Sequence, residues 1–366
     1  MIDEVFSPAF GNRPSQLVGR KALLDELMQG LSSKPGSRER ATVLLGQRGL
    51  GKTVLLWELA DRAREQGFVV ASPTVVSDIM LDRIIEKLQS DSKRYTKDKR
   101  GQIVGGTIGA LGFSAGVQFS DQAGDAKSFG YKILEIAQQL GERGHGLLIL
   151  VDELQANSSE LKQLLIAYTE LVGERQNAAI VLAGLPAAIS SVLNEHVLTF
   201  LNRANKVALG PLSINDVDAF FDHAFKQAGL SIDPELRREA SAATQGSPYM
   251  LQLVGYNTVR YAGESGSVTP DVLENALYAA RETFEEDICQ TTLAALSDRD
   301  VDFLRAMAED NDPSRISEIA QRMGVADDYA QKYRKRLIGN GIIEQARRGY
   351  VRFAIPYLAD YLRQAE

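Results

Sequence analysis

Gly46-Gln47-Arg48-Gly49-Leu50-Gly51-Lys52-Thr53 is the stretch that decides the fold of this chain of 366 residues. It fits the pattern G-x-x-x-x-G-K-[ST], in which glycines let backbone N–H groups curl around an anion without a Cβ clash. The lysine of the pattern can reach the β- and γ-phosphates of a nucleotide, and the threonine hydroxyl can ligate Mg²⁺. Every residue from Gly46 to Thr53 is therefore a candidate for binding ATP or ADP.

The segments on both sides of this loop fit a strand and a helix. Ala41 to Leu45 is a short apolar run typical of a buried parallel strand. Thr53 to Gln66 has the apolar spacing of a helix, so a phosphate on the loop would meet the free N–H groups and the positive dipole end of that helix. A glycine-rich turn with an incidental Lys-Thr pair is the alternative, and the flanking strand and helix argue against it.

Composition and charge limit the class of protein. Hydrophobic residues make up 44% and charged residues 24% of the chain, as in ordinary soluble proteins of two or three domains. Cys289 is the single cysteine, which excludes an internal disulfide and favours a reducing compartment. The start of the chain lacks a basic and then apolar signal region, so we expect a cytoplasmic protein. A net charge of −7 argues against a uniformly basic protein but leaves room for a local basic patch.

An uncharged segment from Gln102 to Ser120 is rich in glycine. The spacing of its small residues is similar to that of packed membrane helices. Its apolar part, however, has only about the minimum length that spans a bilayer, and polar residues dilute it. We therefore expect a flexible loop or a β-hairpin inserted at about residues 91–128, and no membrane span.

Asp152 and Glu153 form the second chemical signal. They follow Gly146 to Val151, an apolar run that fits another buried strand, and ligands of open α/β sheets bind outside the carboxyl ends of strands. Asp152 is the candidate to hold Mg²⁺ together with Thr53, and Glu153 the candidate to polarise a water for attack on the γ-phosphate. Two acids that only cap an exposed strand end are the alternative.

Three regions follow one another along the chain. Strands and helices alternate within residues 1–210, which predicts an α/β domain with a parallel sheet covered on both faces. Residues 211–295 predict a helical lid domain, in which Gly, Ser and Pro separate the helices. Residues 296–366 predict three short helices and a hairpin, the pattern of a winged helix-turn-helix domain.

These features together resemble an AAA+ or STAND P-loop ATPase over nearly the whole chain. Val18-Gly19-Arg20 is similar to the short motif that lines the adenine pocket in this superfamily. Gly246-Ser247-Pro248 is similar to the G-x-P motif of STAND ATPases, which implies that Pro248 packs near the nucleotide. The last region resembles the winged helix that follows the lid in origin initiators and in the archaeal-type ATPase family. The resemblance implies an ATPase that uses Mg²⁺.

The chain departs from that family in its sensor positions. AAA+ enzymes usually have a polar sensor residue after the fourth strand, where this chain reads Ala183-Gly184-Leu185-Pro186, and the lid has no clear sensor arginine. These departures favour a slow switch over fast hydrolysis. Arg203 falls where a sensor or finger arginine would precede the last strand, so it joins Glu153 as a candidate catalytic residue. A solvated surface arginine is the alternative.

The third helix and the hairpin of the last region are basic within an acidic protein. Helical spacing puts Lys332, Lys335 and Arg336 on one side of the helix, and Arg347 and Arg348 lie on the hairpin turn. Such a cluster is the electrostatic footprint expected for contacts with the phosphates of duplex DNA. One alternative is a charged face that is only solvated. The other is a winged helix that binds a protein partner, with the whole molecule then acting as a non-hydrolysing, nucleotide-locked scaffold. The sequence also allows a homo-oligomer.

Overall fold

A computed structural model describes residues 5–9, 13–14, 16–96, 128–155, 158–186, 188–189, 201–311 and 313–364. The strands are β1 Ala41–Leu45, β2 Phe68–Val75, β3 Gly146–Asp152, β4 Ala178–Gly184, β5 Asn205–Ala208, β6 Ser231–Ile232, β7 Ser267–Val268, β8 Ser314–Arg315, β9 Ile343–Arg347 and β10 Tyr350–Phe353. The first helices are α1 Lys21–Leu31, α2 Lys52–Glu65, α3 Met80–Ser92, α4 Phe129–Gly141, α5 Ser159–Gly173, α6 Ile214–Gln227 and α7 Pro234–Ala243. The later helices are α8 Pro248–Ala262, α9 Pro270–Phe284, α10 Thr291–Ala294, α11 Asp298–Ala308, α12 Ile316–Arg322, α13 Asp327–Gly339 and α14 Leu358–Gln364. The glycine-rich segment from Gln102 to Ser120 lies outside the described residues.

The central sheet has the strand order β2-β3-β4-β1-β5, and its neighbouring strands pair in parallel. Every residue of β3 and β4 is buried, which explains why these strands are continuous apolar runs without polar alternation. Both β1 and β3 pair with β4 in parallel, so their carboxyl ends lie at the same edge of the sheet. The loop after β1 and the acids at the end of β3 therefore meet at that edge. The predicted α/β class with a parallel sheet is confirmed.

Helices cover the two faces of this sheet. Val43 and Leu147 point to an apolar cluster formed with α3, α4 and α5. Leu44 and Leu148, their neighbours along the strands, point to a second cluster formed with α1 and α2. Successive side chains of a strand point to opposite faces, so two adjacent apolar residues bury one side chain on each.

The helical region packs around the beginning of the chain. Phe6 is fully buried, with ring centroids 5.9, 6.1 and 5.6 Å from those of Phe220, Phe221 and Phe225. A Cβ added to Gly255 in α8 would lie 2.1 Å from the Phe6 ring, so only glycine fits beneath it. Phe6 therefore packs with the predicted lid, although the sequence division assigned residues 1–210 to the α/β domain.

Helices α9 and α10 are joined by a π-helical segment, Glu285–Gln290. Cys289 in this segment is fully buried, and its Sγ lies 3.8 Å from the Pro356 carbonyl oxygen. Burial raises the pKa of the Cys289 thiol to about 12.

We expect Cys289 to resist thiol reagents in the native protein. Only the thiolate reacts, so a pKa near 12 predicts thiol–disulfide exchange at pH 8 that is slower than for a free cysteine by about a thousandfold. Labelling with a chromogenic disulfide reagent, with and without denaturant, measures the difference. Rapid labelling of the folded protein would contradict the burial of this thiol.

The C-terminal region combines four helices, α11 to α14, with a small sheet of order β8-β10-β9. Ser297 and Asp300 form a capping box at the start of α11. Tyr333 and Leu337 are buried on the inner side of α13, as their spacing predicts. No helix within the described ranges has the length and apolar character that crossing a membrane requires.

Candidate functional site

The loop between β1 and α2 has a shape that only glycine adopts without strain. Gly49 and Gly51 have φ angles of 77° and 78°, in the left-handed region. Gly51 is the N-cap of α2, and no side chain among the described residues caps that helix. The first N–H groups of α2 therefore stay available to an anion at the positive end of the helix dipole.

Lys52 lies over this loop. Its Nζ donates hydrogen bonds to the carbonyl oxygens of Gly46 at 2.8 Å and Gln47 at 2.6 Å. An ammonium group has three donors, so one more is available to a phosphate oxygen. Burial lowers the pKa of Lys52, and the negative charges of Asp152 and Glu153 oppose that shift.

Thr53 and Asp152 meet across the sheet edge. The Thr53 hydroxyl donates to Asp152 Oδ2 at 2.5 Å, although β4 separates the strand of Asp152 from β1. Asp152 is 4% exposed, and its Oδ1 accepts the backbone N–H of Glu153 at 2.9 Å. A hydroxyl and a carboxylate are the hard oxygen ligands that suit Mg²⁺, which keeps few protein ligands beside phosphates and waters. The residues present thus fit the predicted ion.

Glu153 stands at the mouth of the same site. Its φ of 51° is uncommon for a residue with a side chain, and the side chain is exposed just beyond β3. The next residue, Leu154, donates its N–H to the Ala183 carbonyl at 3.0 Å, which turns the chain over the end of β4. The Gly184 carbonyl in turn accepts the Gly46 N–H at 3.3 Å. Ala183 and Gly184 occupy the position where a polar sensor residue is usual, so only their backbone groups are available there.

A small cavity of about 50 Å³ adjoins the loop on the side of α1 and α8. Its lining includes Val18, Arg20, Leu50 and Pro248. Pro248 approaches the loop closely, because a Cβ added to Gly51 would lie 3.7 Å from Pro248 Cγ. The structure therefore brings Val18, Arg20 and Pro248 to the side of the loop.

Two turns beside this cavity contain glycines with positive φ angles that pack closely against neighbouring segments. Gly19 has φ 63°, and a Cβ there would lie 3.2 Å from Asp216 Oδ2. Gly246 has φ 72°, and a Cβ there would lie 2.5 Å from the Leu212 carbonyl oxygen. The Arg20 guanidinium donates to the Gly210 carbonyl and so ties the first motif to the beginning of the helical region.

Arg203 lies away from this site, which corrects its prediction as a catalytic residue for the same chain. In the parallel register Asn205 pairs with Thr42 and Ala208 with Leu45. Arg203 therefore precedes the amino end of β5, whereas the loop follows the carboxyl end of β1, about 15 Å along the strands. Its side chain is exposed.

The predicted DNA-binding residues fall into two groups. Lys332, Lys335, Arg347 and Arg348 are exposed. The Arg336 side chain is also exposed, but it donates through Nε to Asp300 Oδ1 at 2.8 Å, and Asp300 is 3% exposed. This ion pair joins α13 to the start of α11, so Arg336 has a structural partner that its helical spacing could not reveal.

A cleft of about 690 Å³ opens on the other side of the loop. The loop itself, the helical region and the C-terminal region all contribute to its walls. The lining includes Gln47, Arg48, Gly49, Leu50, Gln245, Phe284, Arg352, Phe353 and Tyr357. Sequence patterns gave no sign that the C-terminal region faces the loop, since these residues come together only through the packing of three regions.

Two family models match the chain. Residues 16–182 match the AAA ATPase domain, and residues 286–362 match a domain of unknown function. No protein of curated function matches the chain.

Solved structures with the same fold span almost the whole chain. A Walker-type ATPase of Pyrococcus abyssi matches with a TM-score of 0.68 and 19% identity, over 96% of this chain and 97% of that one. The ORC2 protein of Aeropyrum pernix, in complexes with ADPNP and ADP, matches with a TM-score of 0.64 and 16% identity, over 99% of both chains. Cdc6p from Pyrobaculum aerophilum matches with a TM-score of 0.50 and 14% identity, over 99% of this chain and 97% of that one. At these identities the likeness is one of fold.

Proposed function

Since residues 16–182 match the AAA ATPase domain, we propose that the protein is a nucleotide-dependent switch. It binds ATP with Mg²⁺, hydrolyses the ATP slowly and acts on duplex DNA through a C-terminal winged helix. One observation carries the nucleotide part of the proposal. Lys52, Thr53 and Asp152 converge on a loop whose N–H groups open at the start of α2. The complexes of the similarly folded ORC2 protein with ADPNP and ADP support the same ligand class.

Each residue of the site has a distinct part in this mechanism. The backbone N–H groups of the loop and the Lys52 ammonium bind the phosphate oxygens. Thr53 and Asp152 would hold Mg²⁺, which neutralises charge on the phosphates when it is bound. Glu153 accepts a proton from the attacking water, because its carboxylate lies next to Asp152 and is open to solvent. The sensor position formed by Ala183 and Gly184 offers no polar side chain, which supports slow turnover.

The cleft beside the loop supports the switch. Residues of the C-terminal region line it together with Gln47 to Leu50, so a change at the phosphates alters the surface on which that region rests. The three proposed units are the α/β domain of residues 1–210, the lid of residues 211–295 and the winged helix of residues 296–366.

A nucleotide assay on the purified protein, with and without duplex DNA, tests this proposal. We expect binding of ATP and slow release of phosphate that DNA alters. Tightly bound ADP with neither hydrolysis nor DNA binding would instead favour the non-hydrolysing scaffold. The supporting observation for the scaffold is that β4 ends in Ala183 and Gly184, without a polar sensor side chain. A protein that binds no nucleotide would contradict both.

We expect the double variant Lys332→Glu and Lys335→Glu to weaken binding to all duplexes alike. Exposed lysines on α13 would contact phosphates, which position a protein without reading sequence. The slope of log affinity against log salt should fall by about two units, one for each lost phosphate contact. Fluorescence anisotropy over a salt series measures both quantities.

A matched control reverses the charge of two lysines in the α/β domain. Lys34→Glu and Lys206→Glu change the net charge equally, and both side chains are exposed. The DNA part of the proposal is wrong if the two double variants bind duplex with the same affinity and salt slope, or if the unaltered protein binds no duplex at low salt.

A further inference from the structure

The C-terminal end of α13 rests on the nucleotide-binding loop. A Cβ added to Gly341 would lie 2.8 Å from Gln47 Cγ and 3.6 Å from Gln47 Cα. Gly341 is buried although it follows a surface helix. Its contact with Gln47 joins two segments that lie almost at opposite ends of the chain.

The turn that makes this contact is a well-defined helix cap. Gly341 has φ 70°, its N–H donates to the Ile338 carbonyl at 3.0 Å, and the N–H of Ile342 donates to the Leu337 carbonyl at 3.0 Å. These two bonds are those of a Schellman motif, in which glycine provides the left-handed residue. The cap fixes the position of Gly341 relative to the whole of α13.

We propose that Gly341 is a positioning residue for the nucleotide-binding loop, and that this contact couples nucleotide binding to α13. The inference rests on the proposed function of the loop. Gln47, the first residue after Gly46, is then the residue through which a change in the conformation of the loop displaces α13, the helix that carries Lys332 and Lys335.

The sign of the coupling follows from the state of the loop while the contact exists. The Gln47 carbonyl accepts Lys52 Nζ, and Thr53 is already bonded to Asp152. The loop is therefore arranged for phosphate when the end of α13 lies on Gln47, so the contact stabilises the binding-competent arrangement. By linkage, nucleotide in turn stabilises the contact.

The helix can carry this effect because it is anchored. Tyr333 and Leu337 are buried in the C-terminal core, and a helix of this length, about 20 Å, moves as one body. A shift of its capped end therefore reaches the exposed lysines.

A second glycine of the same region provides a matched control. Gly324 ends α12 with φ 64°, its N–H donates to the Gln321 carbonyl at 3.1 Å, and the N–H of Val325 donates to the Ala320 carbonyl at 3.0 Å. This is the same motif as at Gly341, yet within the described part of the chain no atom beyond the two neighbouring residues lies within 4 Å of a Cβ added at Gly324. Substitution of either glycine strains one helix cap, but only Gly341 presses on the loop.

The experiment compares Gly341→Asn with Gly324→Asn. Asparagine tolerates the left-handed conformation best after glycine, so both variants are expected to fold, and thermal unfolding checks this. Isothermal titration of the full chain with a non-hydrolysable ATP analogue and Mg²⁺ gives the affinities. We expect Gly341→Asn to bind about tenfold more weakly, a coupling of ordinary size, and Gly324→Asn to stay within about twofold of the unaltered protein.

The same titration in the Gln47→Ala background separates coupling from general damage. Removing the Gln47 side chain beyond Cβ leaves room for a larger side chain at position 341, so Gly341→Asn should then lose most of its effect. Equal affinities of the two asparagine variants, tighter binding by Gly341→Asn, or an undiminished effect without the Gln47 side chain would each overturn the inference. Absence of binding by the unaltered protein would instead refute the proposed function itself.

Discussion

Replacement of Lys52 by alanine is expected to weaken binding of ATP and ADP by about a hundredfold or more. The ammonium is held over the loop by the carbonyls of Gly46 and Gln47, where as a partly buried charge it would face the phosphates of a bound nucleotide. Hydrogen bonds to charged groups contribute about 1.5–3 kcal/mol each, and about 1.4 kcal/mol corresponds to a tenfold change in affinity. Isothermal titration with each nucleotide measures the loss.

Lys34→Ala is the matched control for Lys52→Ala. Lys34 carries the same charge in the same α/β domain, but it lies outside the loop and its side chain is exposed. We expect its loss to reduce affinity by less than about threefold, as for a solvated surface charge. Unchanged ATP affinity of Lys52→Ala would refute the assignment of the loop as the phosphate site.

Replacement of Glu153 by glutamine is expected to leave ATP bound while slowing hydrolysis by about a hundredfold or more. The amide has the shape of the carboxylate but cannot accept the proton of the attacking water, and general-base catalysis typically contributes about 10²–10⁴-fold. Affinity should persist, because the backbone N–H of Glu153 and not its side chain bonds Asp152. Single-turnover phosphate release and nucleotide titration on the same sample separate the two effects.

Glu142→Gln is a suitable control for Glu153→Gln. It makes the same chemical change at an exposed residue that follows α4, at the opposite end of β3 from the acids. Normal turnover by Glu153→Gln would mean that another residue activates the water. If the unaltered protein shows no turnover either, the scaffold is favoured over the switch.

Local patterns were sufficient for the sheet and for the centre of the site. β3 and β4 are buried on both faces, so each appears in the sequence as an apolar run bounded by a loop. The parallel arrangement then brings the carboxyl ends of β1 and β3 to one edge, which is why Lys52, Thr53 and Asp152 could be grouped from their places along the chain.

Local patterns failed where a residue's role depends on a distant partner. Helical spacing placed Arg336 with Lys332 and Lys335. The Arg336 guanidinium, however, donates a hydrogen bond to the Asp300 carboxylate, which lies 36 residues earlier in the chain. The position of Arg203 before the last strand suggested a catalytic arginine, whereas the strand direction puts it at the opposite edge. Spacing along an element determines which residues share a side of it, and it carries no information on what packs against that side.

The sequence by itself determined the α/β class, the phosphate loop and the acids that face it, because glycine geometry, apolar runs and the alternation of strands with helices can be read from short segments. Only the tertiary structure decided that Gly341 rests on Gln47, that Pro248 approaches Gly51 and that three regions enclose one cleft. Contacts between segments hundreds of residues apart arise from the burial of apolar surface by the whole chain, which no single stretch encodes.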